Sequence, residues 1–300
     1  MDDELAPRLA ALEQALRSLQ SVLVAFSGGA DSALLLAAAV RALGRSRVVA
    51  ATAVSASLAD GELEAAARFA AELGVRHEVP RTLEMRRAGY RANSGERCYF
   101  CKAELLDVLT PLAGRLGLAT VATGTNADDA VAGFRPGIRA AAERGAVAPL
   151  RDAGMTKAQV RAASQQWGLD TWDKPAAACL SSRLAYGVEI TSAGLARVNR
   201  AEASLRLALA AAGLVVRDLR VRDLGSGRAR VEVDAPLVSV LTGCPDLLAG
   251  VAGFDSVEVD PRGFRSGSMN ELLAIGDDAG QPGGGGGPEA HPLLPAITSR

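Results

Sequence analysis

Apolar residues follow two kinds of spacing along the first half of the chain. Over Leu5–Leu19 they recur every three or four positions, which predicts an amphipathic helix, whereas Ser21–Phe26 is a continuous run typical of a buried strand. The pattern then predicts helices at 33–43, 61–73, 102–116 and 156–167 and strands at 47–54, 75–79 and 118–123. Strands that alternate with helices are typical of a parallel α/β sheet.

The pattern changes at about Tyr186. A long helix is expected at 192–212, followed by short strands at 219–222, 228–234 and 256–260 that are separated by turns. We therefore expect a first domain over 1–185 and a second, smaller α/β domain over 186–276. The remaining segment, 277–300, contains five consecutive glycines and cannot bury enough surface to order itself, so we expect a disordered tail.

Composition excludes several classes of protein. With 49% hydrophobic and 22% charged residues the chain is too apolar to be disordered, and a net charge of −1 argues against a general nucleic-acid binder. The start is acidic where a signal peptide would be basic, and the early apolar run Ala33–Val40 is much shorter than the roughly 20 residues of a membrane helix. We expect a cytoplasmic protein without membrane contact.

The segment from Ser27 to Ser32 has the sequence Ser-Gly-Gly-Ala-Asp-Ser and joins a predicted strand to a predicted helix. Free backbone N–H groups at such a point bind anions, and Gly28 and Gly29 let a phosphate approach closely. The segment is neither a Walker A loop nor a dinucleotide-binding fingerprint. An ordinary turn is the alternative, but Asp31 suggests phosphate binding through Mg²⁺.

A second polar segment, Gly124–Asp129, follows the predicted strand at 118–123. Ligands of open α/β sheets bind at the carboxyl ends of strands. A turn capped by Asn126 is the simpler interpretation, yet the adjacent carboxylates Asp128 and Asp129 favour contacts to Mg²⁺ or a nucleotide. Arg135 could add a cation for the same phosphates.

Three of the four cysteines suggest metal or redox chemistry. Cys98 and Cys101 form a Cys-x-x-Cys pair, which alone is compatible with zinc, a redox disulfide or an iron–sulfur cluster. With Cys179 the chain has three thiolates that could bind three irons of a four-iron cluster. The fourth iron would then have no protein ligand and could hold an exogenous sulfide. Zinc would need a fourth ligand, and Cys244, in the second domain, is better interpreted as an inert thiol. The chain has only two histidines, which argues against His-based catalytic triads and His-rich metal sites.

The loop at Ser27–Ser32 resembles the PP-loop (SGGxDS) of the N-type ATP pyrophosphatases, which cleave ATP between its α and β phosphates and adenylate a carbonyl or carboxyl oxygen. The other motifs occur in the order seen in the LarE family of ATP-dependent sulfur transferases, which act in the synthesis of the nickel-pincer nucleotide. They are NSxxRCYFCK from Asn93, GTNxDD from Gly124, RPG from Arg135, WDKPxxxCLxSR from Trp172, RVR from Arg220, ARVEV from Ala229 and GFRSGSMNE from Gly263.

The resemblance implies a Rossmann-like PP-loop domain with a C-terminal domain for substrate binding and oligomerisation. ATP would adenylate the carboxylates of pyridinium-3,5-biscarboxylic acid mononucleotide, and sulfur would displace AMP to give thiocarboxylates. In cluster-dependent relatives the sulfur is a sulfide on a [4Fe–4S] cluster, here on Cys98, Cys101 and Cys179. Relatives with one cysteine, at the position of Cys179, sacrifice its sulfur and form dehydroalanine, and this route stays open as an alternative.

The resemblance also assigns residues and partners. Cys179 and Asp31 would be catalytic, the substrate a small-molecule nucleotide, the cofactors ATP, Mg²⁺ and the cluster, and the assembly a homodimer or homohexamer. Expected ATP or pyrophosphate contacts are Ser27, Gly28, Gly29, Asp31, Ser32, Gly124, Asn126, Asp128 and Arg135. Expected substrate contacts are Ser182, Arg183, Arg220, Arg222, Glu232 and Arg265.

Three other functions use part of the same sequence. A PP-loop tRNA thiolase would perform the same chemistry on a base, but the chain lacks a basic RNA-binding run. A PP-loop amidotransferase would use ammonia and would not need the cysteines. A non-catalytic nucleotide sensor would keep the loop without turnover, and the complete set of loop, aspartates and cysteines argues against such a loss.

Overall fold

The first unit of the protein contains a parallel sheet. A computed structural model describes residues 4–131, 133, 135–175, 178–265 and 267–270. The strands of this sheet are β1 (Val22–Ala25), β2 (Val48–Ala51), β3 (Arg76–Glu78) and β4 (Thr120–Thr123). They pair in the order β3-β2-β1-β4, and every pairing is parallel. The parallel α/β fold expected from the spacing of apolar residues is confirmed.

Helices connect these strands and cover both faces of the sheet, as parallel connections require. They are α1 (Leu5–Ser18), α2 (Ala30–Leu43), α3 (Glu62–Glu72), α4 (Ala88–Arg91), α5 (Arg97–Arg115), α6 (Ala127–Val131), α7 (Pro136–Glu143), α8 (Pro149–Asp152) and α9 (Lys157–Gln166). Single 3₁₀ turns lie at Arg45–Arg47, Glu84–Arg86, Asp170–Asp173 and Leu180–Arg183.

The apolar run in α2 is buried almost completely. Leu34, Leu35 and Leu36 have no exposed surface, and they pack in one core with Leu16 of α1 and Val24 of β1. A helix that is apolar around its whole circumference is expected inside a protein. The sequence of this segment thus fixes α2 between the sheet and its neighbouring helices, with its amino end beside β1.

The strand order reverses beside β1. From β1 the chain continues to β2 and β3 on one side, and it returns later to place β4 on the other side. Open sheets bind ligands at such a point, in the crevice outside the carboxyl ends of the strands. Both polar segments singled out in the sequence, 27–32 after β1 and 124–129 after β4, therefore lie at this crevice.

The second unit is smaller and has its own sheet. Its elements are α10 (Ser192–Ala211), β5 (Leu219–Gly225), β6 (Arg228–Val233), α11 (Ala235–Gly243) and β7 (Ser256–Val259), with 3₁₀ turns at Pro245–Gly250 and Ser268–Asn270. Strand β6 pairs antiparallel with β5 and parallel with β7. Apolar residues of α10, β5, β6 and α11 form its core, among them Leu205, Val221, Val231 and Leu241.

Contacts between the two units are formed around residues 180–198. Leu180, Leu184 and Ile190 pack with Tyr90 of the first unit in a small apolar cluster. The backbone N–H of Ala185 donates to the carbonyl oxygen of Asp223 in β5 at 2.8 Å. The chain segment that carries Cys179 is therefore close to both units.

Helix α5 begins at Arg97, five residues before the start expected from the apolar spacing. Phe100 and Cys101 pack against the apolar cluster around Tyr90, and this tertiary contact extends the helix through the Cys-x-x-Cys pair. Helix α7 was not predicted from the sequence. It starts at Pro136, and proline is favoured at the first position of a helix.

Within the described ranges, no helix is both long and apolar enough to cross a membrane. The expected disordered tail at 277–300 lies outside the described residues.

Candidate active site

The turn between β1 and α2 presents N–H groups to the crevice. Gly28 has a φ of +72°, a left-handed conformation that favours glycine. Gly29 precedes the first residue of α2, and no side chain caps the helix. The hydroxyls of Ser27 and Ser32 lie 3.1 Å apart across the turn. The amino end of a 14-residue helix, with its partial positive charge, is therefore available to an anion.

Asp31 lies at the amino end of α2 and has two polar partners. It forms an ion pair with Lys157, the first residue of α9, and its other oxygen accepts a hydrogen bond from Asn126 Nδ2 at 3.1 Å. The backbone N–H of Lys157 donates to Asp128 at 2.8 Å. The structure thus brings together Asp31, Asn126 and Asp128, all expected at the nucleotide site, and adds a lysine that the expected set did not include.

The loop after β4 is held in shape by its own side chains. The backbone N–H of Asp129 donates to Asn126 Oδ1 at 3.0 Å, and that of Asn126 donates to Asp129 Oδ2 at 3.3 Å. Arg135 lies 3.8 Å from the carboxylate of Asp129. The loop also contacts the turn between β1 and α2, because a Cβ added to Gly124 would lie 2.9 Å from the backbone nitrogen of Ser32.

Lys174 contacts the PP-loop segment from another side. Its ammonium donates to the carbonyl oxygen of Gly28 at 3.1 Å and to Glu62 at 2.7 Å. Lys157 and Lys174 thus contact the same turn, at Asp31 and at Gly28. The sequence has only three lysines among its 33 basic residues, and that scarcity is the sequence signal that points to these two.

Two cavities open at this crevice. The first, the loop cavity, has a volume of about 420 Å³ and is lined by the PP-loop segment, Glu84, Cys101 and Cys179. The second, the arginine cavity, has a volume of about 820 Å³ and reaches into the second unit. Among the residues that the structure describes, its basic lining residues are Arg97, Lys102, Arg135, Arg220 and Arg222, and Asp129 is the acidic one.

The two cavities share part of their walls. Lys102, Thr125, Asp129 and Ala178 line both of them. Lys102 is half-buried, and burial lowers the pKa of its ammonium, although Cys101, Cys98 and Asp129 oppose this effect. A molecule in one cavity and a molecule in the other would therefore meet beside one ammonium group.

The three expected cysteines surround this shared wall. Cys98 lines the arginine cavity, whereas Cys101 and Cys179 line the loop cavity. Burial raises the pKa of the Cys101 thiol, and the nearby Cys179 and Glu84 add to the effect. Cys98 and Cys179 are exposed and accessible to reagents. Cys244 lies after α11 and lines neither cavity.

The donor set fits an iron–sulfur cluster in kind, since three cysteines are the usual ligands of three irons. The thiols are not assembled around one point, however, because the described part of the chain contains no group of three His, Cys, Asp or Glu side chains placed to hold a metal ion. The described residues likewise contain no preformed group of ligands for Mg²⁺. Mg²⁺ usually takes most of its ligands from phosphates and water.

Arg97 is a buried cation beside the cysteines, and sequence reasoning missed it. Its side chain donates to Asn93 Oδ1 at 2.8 Å and to the carbonyl oxygen of Ser181 at 2.9 Å. Burial by itself would lower its pKa, but the nearby Cys179 and Cys98 outweigh burial and raise the pKa of Arg97. Its position directly before Cys98 was the one signal in the sequence.

A buried hydrogen-bond network supports the cysteine end of the loop cavity. Glu84 is 2% exposed and accepts hydrogen bonds from the hydroxyls of Ser55 and Ser57. Tyr90 is hydrogen-bonded to Ser181, and burial raises its pKa. These residues are distant in sequence, and no motif connects them.

The arginines of strand β5 are buried. Arg222 donates to Glu232 of β6 at 2.6 Å and to the carbonyl oxygen of Ser182 at 3.1 Å. The pKa of Arg220 is lowered to about 10 by burial and by the neighbouring Arg183, so it remains charged at neutral pH. Both guanidinium groups line the arginine cavity, as does Ser182.

The remaining expected substrate contacts, Arg183, Glu232 and Arg265, do not line this cavity. Arg183 is 3% exposed and forms a two-pronged pair with Glu202 of α10, at 2.9 and 3.1 Å. Arg265 lies 3.5 Å from Asp260, next to the cavity-lining Phe264. Arg183 thus joins the Cys179 segment to the second unit.

The chain resembles several known proteins. A sequence model of the NAD synthase family matches residues 8–95. An uncharacterized protein of Synechocystis is 43% identical over 276 residues, which cover 90% of this chain and 99% of the relative. The pyridinium-3,5-bisthiocarboxylic acid mononucleotide synthase of Lactiplantibacillus plantarum is 35% identical over 272 residues, which cover 90% of this chain and 96% of the relative. An uncharacterized protein of Methanocaldococcus jannaschii is 27% identical over 176 residues, 58% of this chain and 66% of the relative.

Proposed function

This chain belongs to the LarE family, which includes the pyridinium-3,5-bisthiocarboxylic acid mononucleotide synthase, and we propose that it is an ATP-dependent sulfur transferase. Its substrate is pyridinium-3,5-biscarboxylic acid mononucleotide, whose carboxylates become thiocarboxylates. The observation that carries the proposal is the wall shared by the loop cavity and the arginine cavity, around which the three cysteines lie.

The loop cavity suits the triphosphate of ATP. The amino end of α2 would bind the leaving pyrophosphate, and Lys157 and Lys174 contact the same turn at Asp31 and at the carbonyl oxygen of Gly28. Asp31 and the loop after β4 would contact the phosphates through Mg²⁺. When bound, this ion would neutralise the negative charges of the carboxylates and the phosphates.

The arginine cavity suits an anionic aromatic substrate. The described part of its lining has five basic residues and one carboxylate, together with the rings of Tyr186 and Phe264. A pyridinium mononucleotide with two carboxylates and a phosphate carries complementary charge, and guanidinium groups bind carboxylate and phosphate through paired hydrogen bonds. Lys102, on the shared wall, would lie between the carboxylate and the α-phosphate.

The reaction then proceeds in two displacements. A carboxylate oxygen attacks the α-phosphorus of ATP, and the bond to the bridging oxygen breaks so that pyrophosphate leaves with the electron pair. A sulfur nucleophile next attacks the carbonyl carbon of the acyl adenylate, and AMP leaves with one former carboxylate oxygen. Positively charged groups near the developing charge, here Lys102 and Lys157, lower both barriers.

We assign the sulfur to a [4Fe–4S] cluster on Cys98, Cys101 and Cys179. Such a cluster would supply a sulfide on the iron that no cysteine binds. The nearby cation Arg97 and the presence of two thiols besides Cys179 support this route. Sacrifice of the Cys179 sulfur is the alternative, favoured by its exposure and by its position on the wall of the loop cavity.

Anaerobic purification with iron and sulfide analysis distinguishes the two sources. The cluster route predicts about four irons per chain, lost in Cys101→Ala. The sacrificial route predicts an iron-free protein in which Cys179 loses the mass of H₂S during turnover, with Cys98 and Cys101 unchanged.

ATP–pyrophosphate exchange tests the adenylation itself. Exchange should require the biscarboxylic acid mononucleotide and should fall by about a hundredfold or more in Asp31→Asn, because the phosphate-binding turn would lose its carboxylate. Exchange that proceeds with a tRNA and not with the mononucleotide would instead identify a thiolase. Absence of exchange with either substrate, despite ATP binding, would identify a sensor.

A further inference from the structure

Asp173 and Lys174 are neighbours in sequence but contact two different parts of the molecule. Lys174 donates to the carbonyl oxygen of Gly28 in the PP-loop segment at 3.1 Å. The carboxylate of Asp173 accepts two hydrogen bonds from Arg217 of the second unit, at 2.6 and 2.9 Å. The same guanidinium donates to the backbone carbonyl oxygen of Asp173 at 2.8 Å.

Arg217 lies just before β5 and is tied to that sheet by its backbone. Its N–H donates at 2.7 Å to Asp234, the residue that follows β6. The other end of β5 is attached to the first unit where Ala185 donates to the carbonyl oxygen of Asp223. Arg220 and Arg222, which line the arginine cavity, lie between these two attachments.

The Asp173–Arg217 contact orients the Arg217 guanidinium but adds little to the stability of the fold. Its side chains are 42% and 51% exposed, and exposed ion pairs contribute little to the free energy of unfolding. A two-pronged pair with a third bond to the backbone nevertheless fixes a guanidinium in direction as well as distance.

Helix α9 also connects Asp173 and Lys174 to the PP-loop segment. Arg161 of that helix donates to the carbonyl oxygen of Lys174 at 3.2 Å and lies 3.6 Å from Asp173. The first residue of the same helix is Lys157, the partner of Asp31. Asp173 and Lys174 are therefore connected to the PP-loop segment both directly and through α9.

We propose that Asp173 is a positioning residue: through Arg217 it fixes the start of β5, and with it Arg220, relative to the loop that Lys174 contacts. The inference rests on the proposed function, since it takes that loop to be the ATP-binding site. Coupling between two sites is reciprocal. Nucleotide at the loop should therefore restrict the start of β5, and substrate at β5 should strengthen nucleotide binding.

Hydrogen exchange of the full-length protein measures this coupling without turnover. The probe is α,β-methylene ATP, which cannot be cleaved at the α-phosphorus, at a concentration that calorimetry shows to be saturating. In the wild type it should slow exchange of the amides in 217–222 by about fivefold or more. In Asp173→Asn the slowing should disappear while the calorimetric affinity for the nucleotide stays close to that of the wild type.

Further variants separate positioning from a general loss of structure. Arg217→Gln should behave like Asp173→Asn, and the double variant should lose nothing more, because both changes remove one interaction. Asp173→Glu should recover part of the slowing. The matched control is Arg230→Gln, which removes another exposed pair of the second unit, Arg230–Glu258 at 2.6 Å, and should keep the full effect.

Slowing that persists in Asp173→Asn, or nucleotide binding to the wild type without any slowing, would overturn the inference and leave the proposed function standing. A wild-type protein that does not bind α,β-methylene ATP would overturn the proposed function, and the inference with it.

Discussion

At the scale of single residues, the polar groups around the loop cavity have defined partners. The hydroxyl of Thr52, a lining residue, donates to the carbonyl oxygen of Phe26 at 2.8 Å. Its oxygen is therefore left to accept from Nε2 of His77, also at 2.8 Å. This pattern requires a proton on Nε2 and places the imidazole behind the cavity wall.

The pH dependence of stability tests this arrangement. Burial lowers the pKa of His77, with a smaller opposing effect of Glu78. The unfolded chain, with a histidine pKa of about 6.5, then binds the proton more readily than the folded protein, so stability falls as pH drops below that value. Urea unfolding at pH 7.5 and 5.5 should show a larger loss in the wild type than in His77→Gln, and equal losses would contradict the assignment.

Sequence reasoning found the chemistry of single residues more easily than their partners. Ser27, Asp31 and Cys179 stood out because their motifs are local. Lys174 and Gly28 are 146 positions apart, and Lys157 and Asp31 are 126 apart. Contacts over such separations depend on which strands are neighbours in the sheet, and the spacing of apolar residues does not specify this.

At the scale of elements, the crevice depends on the close approach of the loop after β4 to the start of α2. A methyl group at Gly124 would lie 2.9 Å from the backbone nitrogen and 3.1 Å from the Cα of Ser32. Gly124→Ala must therefore displace the backbone of the PP-loop segment, to which we assign phosphate binding. Because a displacement of about 1 Å can cost a hundredfold in function, we expect at least about a tenfold weaker affinity for α,β-methylene ATP by calorimetry.

The control for this variant is Gly114→Ala, whose Cβ would meet nothing within 4 Å. It should bind the nucleotide as the wild type does. An unchanged affinity in Gly124→Ala would contradict the close contact between the two loops.

The helix that carries the Cys-x-x-Cys pair packs against α4 at Gly89. A Cβ on Gly89 would lie 2.2 Å from the ring of Phe100, which stands between the two cysteines. Overpacking of this kind costs about 1–3 kcal/mol, so Gly89→Ala should lower the free energy of unfolding by that amount in urea. Gly114→Ala, in the same helix, should instead raise it by up to about 1 kcal/mol, and a similar change in both variants would contradict this packing.

The elements themselves were predicted well where the apolar pattern was strong, as in the continuous apolar run of α2 and the helical spacing of α9 and α10. The start of α5 was not, because the side chains that extend it to Arg97 pack against Tyr90 and Leu180, which belong to other segments. The same contacts place Cys101 at the loop cavity. Local periodicity contains no information about a neighbour that is distant in sequence.

At the scale of the whole molecule, the site belongs to both units. The first unit contributes the PP-loop segment and the cysteines, while Arg220 and Arg222 of the second unit line the arginine cavity. The sequence predicted both sets of residues but not the wall shared at Lys102 and Thr125, because these residues of the first unit come together only through contacts that are distant in sequence. The proposed adenylation and sulfur transfer would need groups of both units, since the carboxylate would meet ATP first and sulfur second.

The most direct test is a mass-spectrometric assay of the product. Purified protein, prepared anaerobically, is incubated with ATP, Mg²⁺ and pyridinium-3,5-biscarboxylic acid mononucleotide. We predict a nucleotide in which sulfur has replaced one oxygen of each carboxylate, with one AMP and one pyrophosphate released for each replacement, and no such product from Asp31→Asn. Recovery of the unchanged mononucleotide from a protein that binds ATP and retains its sulfur source would contradict the proposed function.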